Sequence, residues 1–316
     1  MPIHLAFLGC GFATQLHSKT LANFKPDVRC YYASRNRKKA MALNGEYHGQ
    51  GFFDSYEAAI NSPHIEVVLV ATPPASHLDL TLQALRAGKN VIVEKPPFLR
   101  SSDFGVIRQT QTETGRRVYI AENYFYKPLA FKLRELLNAE VIGELLFFHV
   151  NALKQQTTGN WRDDAALSGG GALFEGGIHW INFMANLGLT VKSVRGWSPG
   201  KRADIEKSML VAFEYESGAV GTLSYSWEVP VLLKGVHLSQ IYGRKGAITF
   251  ESNGIFILVN GARKKIIFPG LGDIAGYKGM FRDFIRALRS NAEPKMSLDL
   301  AQKDLQLIEA IYQSTR

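Results

Sequence analysis

Glu175 and His179 stand four positions apart in "GGGALFEGGIHWINF", residues 169–183. On a helix, side chains at that spacing share a face. A carboxylate and an imidazole held together can ligate a metal, pass a proton or form a buried hydrogen bond. A zinc site needs three or four ligands. His4, His17, His48, His64, His149 and His237 are scattered without a second paired spacing, so no metal is expected. Gly176 and Gly177 argue against simple burial. Glycine weakens a helix, and its presence at the start of one implies that something approaches the backbone closely.

A second set of residues suits a nucleotide. "GCGFAT" supplies Gly9 and Gly11, with Thr14 where a third glycine or alanine is usual. Glycines at such a turn let the backbone approach a pyrophosphate, and a helix N-terminus then favours the negative charge. The end of the next apolar run carries Ser34 and Arg35, then Arg37 and Lys38, within "RNRKK". NAD-binding chains usually place an acid here, against the adenosine ribose. A carboxylate would repel a 2′-phosphate, whereas a guanidinium binds it by charge-assisted hydrogen bonds. The pattern predicts NADP(H) in preference to NAD(H). It also accounts for the densest basic run of a chain with formal charge +9 without invoking nucleic acid. Lys39 reads as a solvated helix face.

The elements that would position these residues alternate through the first third. "IHLAFLG", "VRCYYAS", "GFFDS", "IEVVLVAT", "NVIVEKP" and "RRVYIAENY" read as strands, with amphipathic helices between them; Gly88 closes the helix "HLDLTLQALRAG". That rhythm predicts a parallel, doubly wound sheet over residues 1–122. Residues 123–316 read differently. A helix near 128–139 leads into the strand "GELLFFHVNAL", and a helix is expected over about 173–187. Runs such as "KSMLVAFEYES", "GAVGTLSYSWEV", "GVHLSQIYGR" and "GAITFES" follow, joined by "ESG", "RKG" and "SNG". These predict hairpins in a large, mainly antiparallel sheet with helices on one face. "GMFRDFIRALRSN" and "LDLAQKDLQLIEAIYQ" close the chain as helices. Phe52, Phe53, Phe147 and Phe148 read as core.

The 316 residues are 46% hydrophobic and 21% charged, ordinary values for a globular chain. No apolar run approaches the roughly 18 residues of a membrane helix, and no basic segment precedes the first apolar run. Cys10 and Cys30 make no disulfide framework. A cytoplasmic protein without membrane or nucleic-acid partners is the expectation.

With "GCGFAT", "ATPP" and His77, "AGKNVIVEKP", "WRDDAALSGGGALFEGGIHWIN" and "FRDFIRAL", the chain resembles the Gfo/Idh/MocA family of oxidoreductases over nearly its full length. The resemblance implies a Rossmann domain followed by an α/β domain with an open sheet. It implies a small sugar, inositol, diol or related carbonyl substrate, and a homodimer or homotetramer formed through that sheet. It carries cofactor contacts to Gly9, Gly11, Phe12, Ala13, Ser34, Arg35, Arg37, Lys38, Ala71, Thr72, Pro73, His77, Glu94, Lys95 and Asn123.

Hydride transfer from an alcohol needs a proton acceptor at the reacting oxygen, and the reverse reaction needs a donor. In the family the lysine of "EKP" has this part, which assigns Lys95 here; His179 is the other proton-carrying group, with Glu175 beside it. Trp161, Arg162, Tyr124 and Asn182 are implied at the substrate, and Tyr277 enters from the last helical segment. The chain departs from the family in three places. Glu175 replaces a shorter aspartate, Asn182 stands where an acid is common, and Phe125 stands where many members carry arginine. Those departures leave open a dinucleotide-sensing regulator without catalysis; a third reading is a glycoside hydrolase that makes and reverses a hydride transfer on held NAD(P).

Overall fold

The computed structural model of the chain describes residues 1–159, 161–200, 205–231 and 236–315, and these form two compact units. The first contains Met1–Glu122 and Tyr277–Gln302. Its strands are β1 (Ile3–Leu8), β2 (Val28–Ala33), β3 (Gly51–Phe53), β4 (Val67–Val70), β5 (Asn90–Val93) and β6 (Val118–Ile120). They pair in parallel in the order β3-β2-β1-β4-β5-β6. Between them lie α1 (Phe12–Leu21), α2 (Arg37–Glu46), α3 (Tyr56–Asn61), α4 (His77–Arg86) and α5 (Asp103–Thr114). All four residues of β4 are buried, as a continuous apolar run covered on both faces requires. Asn36 and Ser55 cap α2 and α3 through their side chains.

The second unit contains Asn123–Gly276 and Lys303–Arg316. It opens with α6 (Pro128–Asn138), β7 (Leu145–Leu153), α7 (Ala165–Ser168) and α8 (Ile178–Ala185). There follow β8 (Val191–Trp197), β9 (Ser208–Tyr215), β10 (Val220–Ser226), β11 (Leu238–Gly243), β12 (Gly246–Glu251), β13 (Ile257–Asn260) and β14 (Lys264–Ile267). Among the described residues these make one sheet in the order β14-β13-β12-β11-β7-β10-β9-β8. All its pairings are antiparallel except β7 with β10. "ESG", "RKG" and "SNG" fall at the β9–β10, β11–β12 and β12–β13 turns, and Gly218 and Gly254 take positive φ there. The expected strand "GVHLSQIYGR" begins at Gly235, which lies outside the described residues.

Three expectations are corrected. The chain was expected to divide into 1–122 and 123–316, yet the helix α9 (Tyr277–Ser290) packs in the first unit. Its buried face of Met280, Phe281 and Phe284 explains this, with Phe284 lying 5.6 Å from the ring of Tyr119 in β6. The final helix, α10 (Leu298–Ser314), starts in the first unit and ends in the second. Phe147, expected in the core, is 44% exposed. The pleat of β7 sends Phe148, Val150 and Ala152 inward and Phe147 and His149 outward. Finally, the helix expected from residue 173 begins as a π-helical turn, Leu173–Gly177, before α8.

No helix among the described residues is long and apolar enough to cross a membrane.

Candidate active site

The carboxyl ends of β1, β2, β4 and β5 carry the residues expected to hold a dinucleotide. Gly9 has φ +114°, and a Cβ there would lie 2.6 Å from the Ala71 carbonyl oxygen. Only glycine fits that conformation and that space. Thr14, in place of the third glycine, is fully buried, and its hydroxyl donates to the Gly9 carbonyl at 2.8 Å. It ties the first turn of α1 to the loop. Gly11 precedes α1 as its N-cap without a side-chain cap, and no acid lies in the first turn. A Cβ on Gly11 would meet nothing within 4 Å. The exposed start of α1 could therefore take an anionic group, with Ala13 half-buried behind it and the Phe12 ring 76% exposed beside it.

At the end of β2, Ser34 is buried and accepts from the Asn36 N–H at 3.1 Å. Arg35, Arg37 and Lys38 are exposed. Burial raises the pKa of the Tyr56 hydroxyl and the nearby Arg35 charge opposes that rise, while Arg37 lies 5.6 Å over the Phe52 ring. The Phe52 contact steadies the Arg37 guanidinium without neutralising it.

The "EKP" segment follows β5 directly. Lys95 is half-buried. Its backbone N–H donates to Glu94 Oε2 at 3.0 Å, and Glu94 Oε1 is hydrogen-bonded to His17 Nε2. Ala71, Thr72 and Pro73, after β4, are half-buried, and Thr72 Oγ1 accepts from Ser76 at 2.7 Å. His77 is buried, with Nε2 at 2.8 Å from the Thr72 carbonyl and Nδ1 at 2.9 Å from the Pro96 carbonyl. It ties the β4 loop to the "EKP" turn. Burial pulls its pKa below the ordinary value, against an upward pull from its carbonyl partners and Glu94.

In the second unit, Arg162 Nε donates to Glu175 Oε1 at 3.0 Å, and the Glu175 side chain is only 7% exposed. The Arg162 guanidinium also lies 4.4 Å from the centroid of the Trp161 ring. His179 is half-buried and stacks on Tyr124, with centroids 4.4 Å apart and planes 14° apart. Arg162, Glu175, Tyr124 and His179 thus each have a fixed neighbour. Asn123 is buried and donates to the Ala275 carbonyl at 2.7 Å. Asn182 is fully buried and donates to Asp304 of α10 at 2.8 Å, which leaves it no surface to offer a substrate. The Tyr277 ring stands nearly perpendicular to that of His17 in the first unit, with centroids 5.6 Å apart. Among the described residues, no three His, Cys, Asp or Glu side chains are arranged to hold a metal ion.

The glycine run has a protein-internal explanation. A Cβ on Gly176 would overlap the Tyr225 hydroxyl, and one on Gly171 would overlap the Glu206 carboxylate. What approaches the backbone is the chain itself. Tyr225 accepts from Trp227 Nε1 at 2.9 Å, and burial with the nearby Glu175 charge holds its pKa well above the ordinary value. Glu206 Oε1 accepts from the Leu173 N–H at 2.9 Å and from the Tyr312 hydroxyl at 2.8 Å. It supplies the cap that the start of the π turn lacks.

Sequence reasoning missed Glu206, Tyr225, His17 and Lys127. Lys127 is buried, with Nζ 4.1 Å from the centroid of the Tyr124 ring. Lys127 had a signal, a basic residue amid the aromatics of "NYFYKP". Glu206 and Tyr225 had none, because their partners are distant in sequence.

Residues 3–122 match the oxidoreductase family with an NAD-binding Rossmann fold, and residues 131–249 match the GFO/IDH/MocA C-terminal domain. The D-glucoside 3-dehydrogenase of Escherichia coli is 25% identical, with 99% of this chain and 95% of that one aligned. Oxidoreductase P35 of Formosa agariphila is 25% identical over 79% of each chain. Levoglucosan dehydrogenase, solved in complex with NADH and levoglucosan, superposes with a TM-score of 0.88 at 19% identity, covering 99% of this chain and 97% of that one. Both halves of the sequence thus lead to one conclusion: the chain belongs to the Gfo/Idh/MocA family of NAD(P)-binding oxidoreductases.

Proposed function

We propose that this protein is an NADP(H)-dependent oxidoreductase that transfers a hydride between nicotinamide and a hydroxyl or carbonyl group of a small sugar, inositol, diol or related compound. The observation that carries the reading is the edge of the first sheet. There the open glycine turn after β1, two exposed arginines after β2 and, beyond the intervening β4, a lysine after β5 anchored by Glu94 stand along one carboxyl edge. The similar D-glucoside 3-dehydrogenase and levoglucosan dehydrogenase support a polyhydroxy substrate. Arg35, Arg37 and Lys38 support the 2′-phosphate of NADP(H).

The cofactor, when bound, supplies the hydride chemistry. The chain supplies the proton and the fixed charges. Lys95 as an ammonium stabilises a developing alkoxide, and in its neutral form it accepts the hydroxyl proton. His179 is the second proton-carrying group, its ring oriented by Tyr124. Glu175, fixed by Arg162, keeps a negative charge beside that histidine's helix. Trp161 offers an indole face to the apolar side of a sugar ring.

We infer also that copies associate through the outer face of the second sheet. The strand register aligns Phe147 with Val220 and with Tyr242, Leu210 with Trp197, and Leu258 with Ile266. Phe147, Val220, Leu210, Trp197, Leu258 and Ile266 are all exposed, and an apolar band of this kind marks a contact surface.

The test is a screen of sugars, inositols, diols and aldehydes with NADP(H) and NAD(H), followed at the nicotinamide absorbance. Turnover is expected, and Lys95→Ala and His179→Ala are expected to lose at least about a hundredfold in kcat. Full activity of Lys95→Ala would overturn the assignment of Lys95. Tight cofactor binding without turnover would favour a sensing role. Cofactor that co-purifies and shows no net absorbance change on glycoside cleavage would favour a hydrolase.

A further inference from the structure

His17 is a buried polar side chain to which the reaction above gives no task. It lies on α1, fully buried, with Nε2 on Glu94 Oε1, while Glu94 Oε2 accepts from the Lys95 backbone N–H. Its other nitrogen, Nδ1, has no hydrogen-bond partner among the described residues. The rings of Tyr277 and Phe281 of α9 stand nearly perpendicular to it, with centroids 5.6 and 5.3 Å away. A proton on Nδ1 would be buried against aromatic rings without an acceptor, which is costly. The ring proton therefore belongs on Nε2, where it is donated to Glu94.

We propose that His17 is a positioning residue for the hydride transfer, holding the Glu94 carboxylate and, through it, the backbone from which Lys95 projects. The proposal rests on the oxidoreductase reading. It has a second consequence for the cofactor. A carboxylate held by N–H donors is stabilised as the anion. A fixed negative charge at the carboxyl edge of the sheet favours a dinucleotide whose nicotinamide is cationic over the neutral reduced form. His17 thus governs both the anchoring of Lys95 and the preference between the two redox states of the cofactor.

The experiment uses the full chain and has two arms. In the first, ring-nitrogen chemical shifts are read in protein carrying isotope-labelled histidine, and the His17 signals are assigned by their loss in His17→Gln. Nε2 protonated and Nδ1 bare is the expected result. A proton on Nδ1, alone or with one on Nε2, overturns the proposal. In the second arm, dissociation constants for NADP+ and NADPH are measured for the native chain, His17→Phe and His17→Gln. His17→Phe keeps an aromatic ring in the same box but lacks the donor. It is expected to weaken NADP+ relative to NADPH by about tenfold and to lower kcat more than it raises KM. His17→Gln retains a donor and is expected to return the ratio to within about threefold of the native value. An unchanged ratio in folded His17→Phe, or no rescue by His17→Gln, shows a packing role and overturns the proposal. If His17→Phe does not fold, the shifts of the native chain and the His17→Gln ratio still decide. A native protein that binds no nicotinamide dinucleotide sinks the oxidoreductase reading instead, and the ring-nitrogen arm still decides the His17–Glu94 bond.

Discussion

Arg162 and Glu175 are an ion pair, Nε to Oε1 at 3.0 Å, with a carboxylate that is almost wholly buried. The longer acid of this chain therefore reaches a guanidinium thirteen residues earlier in the sequence. Removing one partner of such a pair leaves the other charge poorly solvated. Arg162→Ala is expected to cost about 1–3 kcal/mol in urea unfolding. Glu175→Asp, one methylene shorter, is expected to cost part of that and to raise KM for substrate. Equal stability of Arg162→Ala and the native protein would show that the pair contributes nothing.

The two glycines of the nucleotide turn should fail in different ways. Gly9→Ala meets both a disfavoured φ and the Ala71 carbonyl, so the fold should lose about 1–3 kcal/mol. Gly11→Ala meets no protein atom within 4 Å. Its unfolding midpoint should stay close to the native value while dinucleotide affinity drops. Thermal melts with and without cofactor separate the two outcomes. Gly11→Ala binding cofactor as tightly as the native chain would remove that turn from the binding site.

Exposed guanidiniums at the end of β2 should matter to one cofactor and not the other. Arg35→Ala and Arg37→Ala are expected to weaken NADP+ by about 1.5–3 kcal/mol each, as for hydrogen bonds to a charged group. NAD+ affinity should barely change. Comparable losses for both cofactors, or tighter native binding of NAD+, would refute the 2′-phosphate assignment.

Glu206 predicts a pH dependence of stability. Burial raises its pKa above the ordinary carboxylate value. The folded state then holds the proton more tightly than the unfolded state. Stability from this group is greatest below the unfolded value, about pH 4.3. It declines as pH rises toward the folded value and is level above it. Glu206→Gln keeps an acceptor for the Leu173 N–H and does not titrate. The native chain should lose stability relative to Glu206→Gln across that interval, measured by urea midpoints at stepped pH. A constant difference between the two proteins would rule this out.

The first unit was largely legible in the sequence because its information is local. Continuous apolar runs, glycine at the turn after β1 and basic residues after β2 lie within a few positions of the structure they specify. The hairpins of the second unit were legible for the same reason. What escaped was set by pairings between distant segments. Nothing near Gly171 announces Glu206, and nothing near Gly176 announces Tyr225. The glycines signalled close approach correctly, but the visitor was the protein's own side chain. The place of α9 was likewise fixed by Phe284 meeting Tyr119, a contact no local pattern contains. Phe147 was misread because an apolar residue on a strand identifies a face only once the register is known.

The parallel contact of β7 with β10 bears on the order of assembly. Strands β8 to β10 can form a ladder from sequence neighbours, as can β11 to β14. Strand β7 cannot, because Val150 pairs with Leu223 on one side and Phe148 with Ile241 on the other. The entropy of closing those long loops must be met before either pairing rewards it. β7 is the keystone of the second unit. The ladders β8 to β10 and β11 to β14 share no pairing of their own, and that single strand, drawn from far earlier in the chain, makes them one surface.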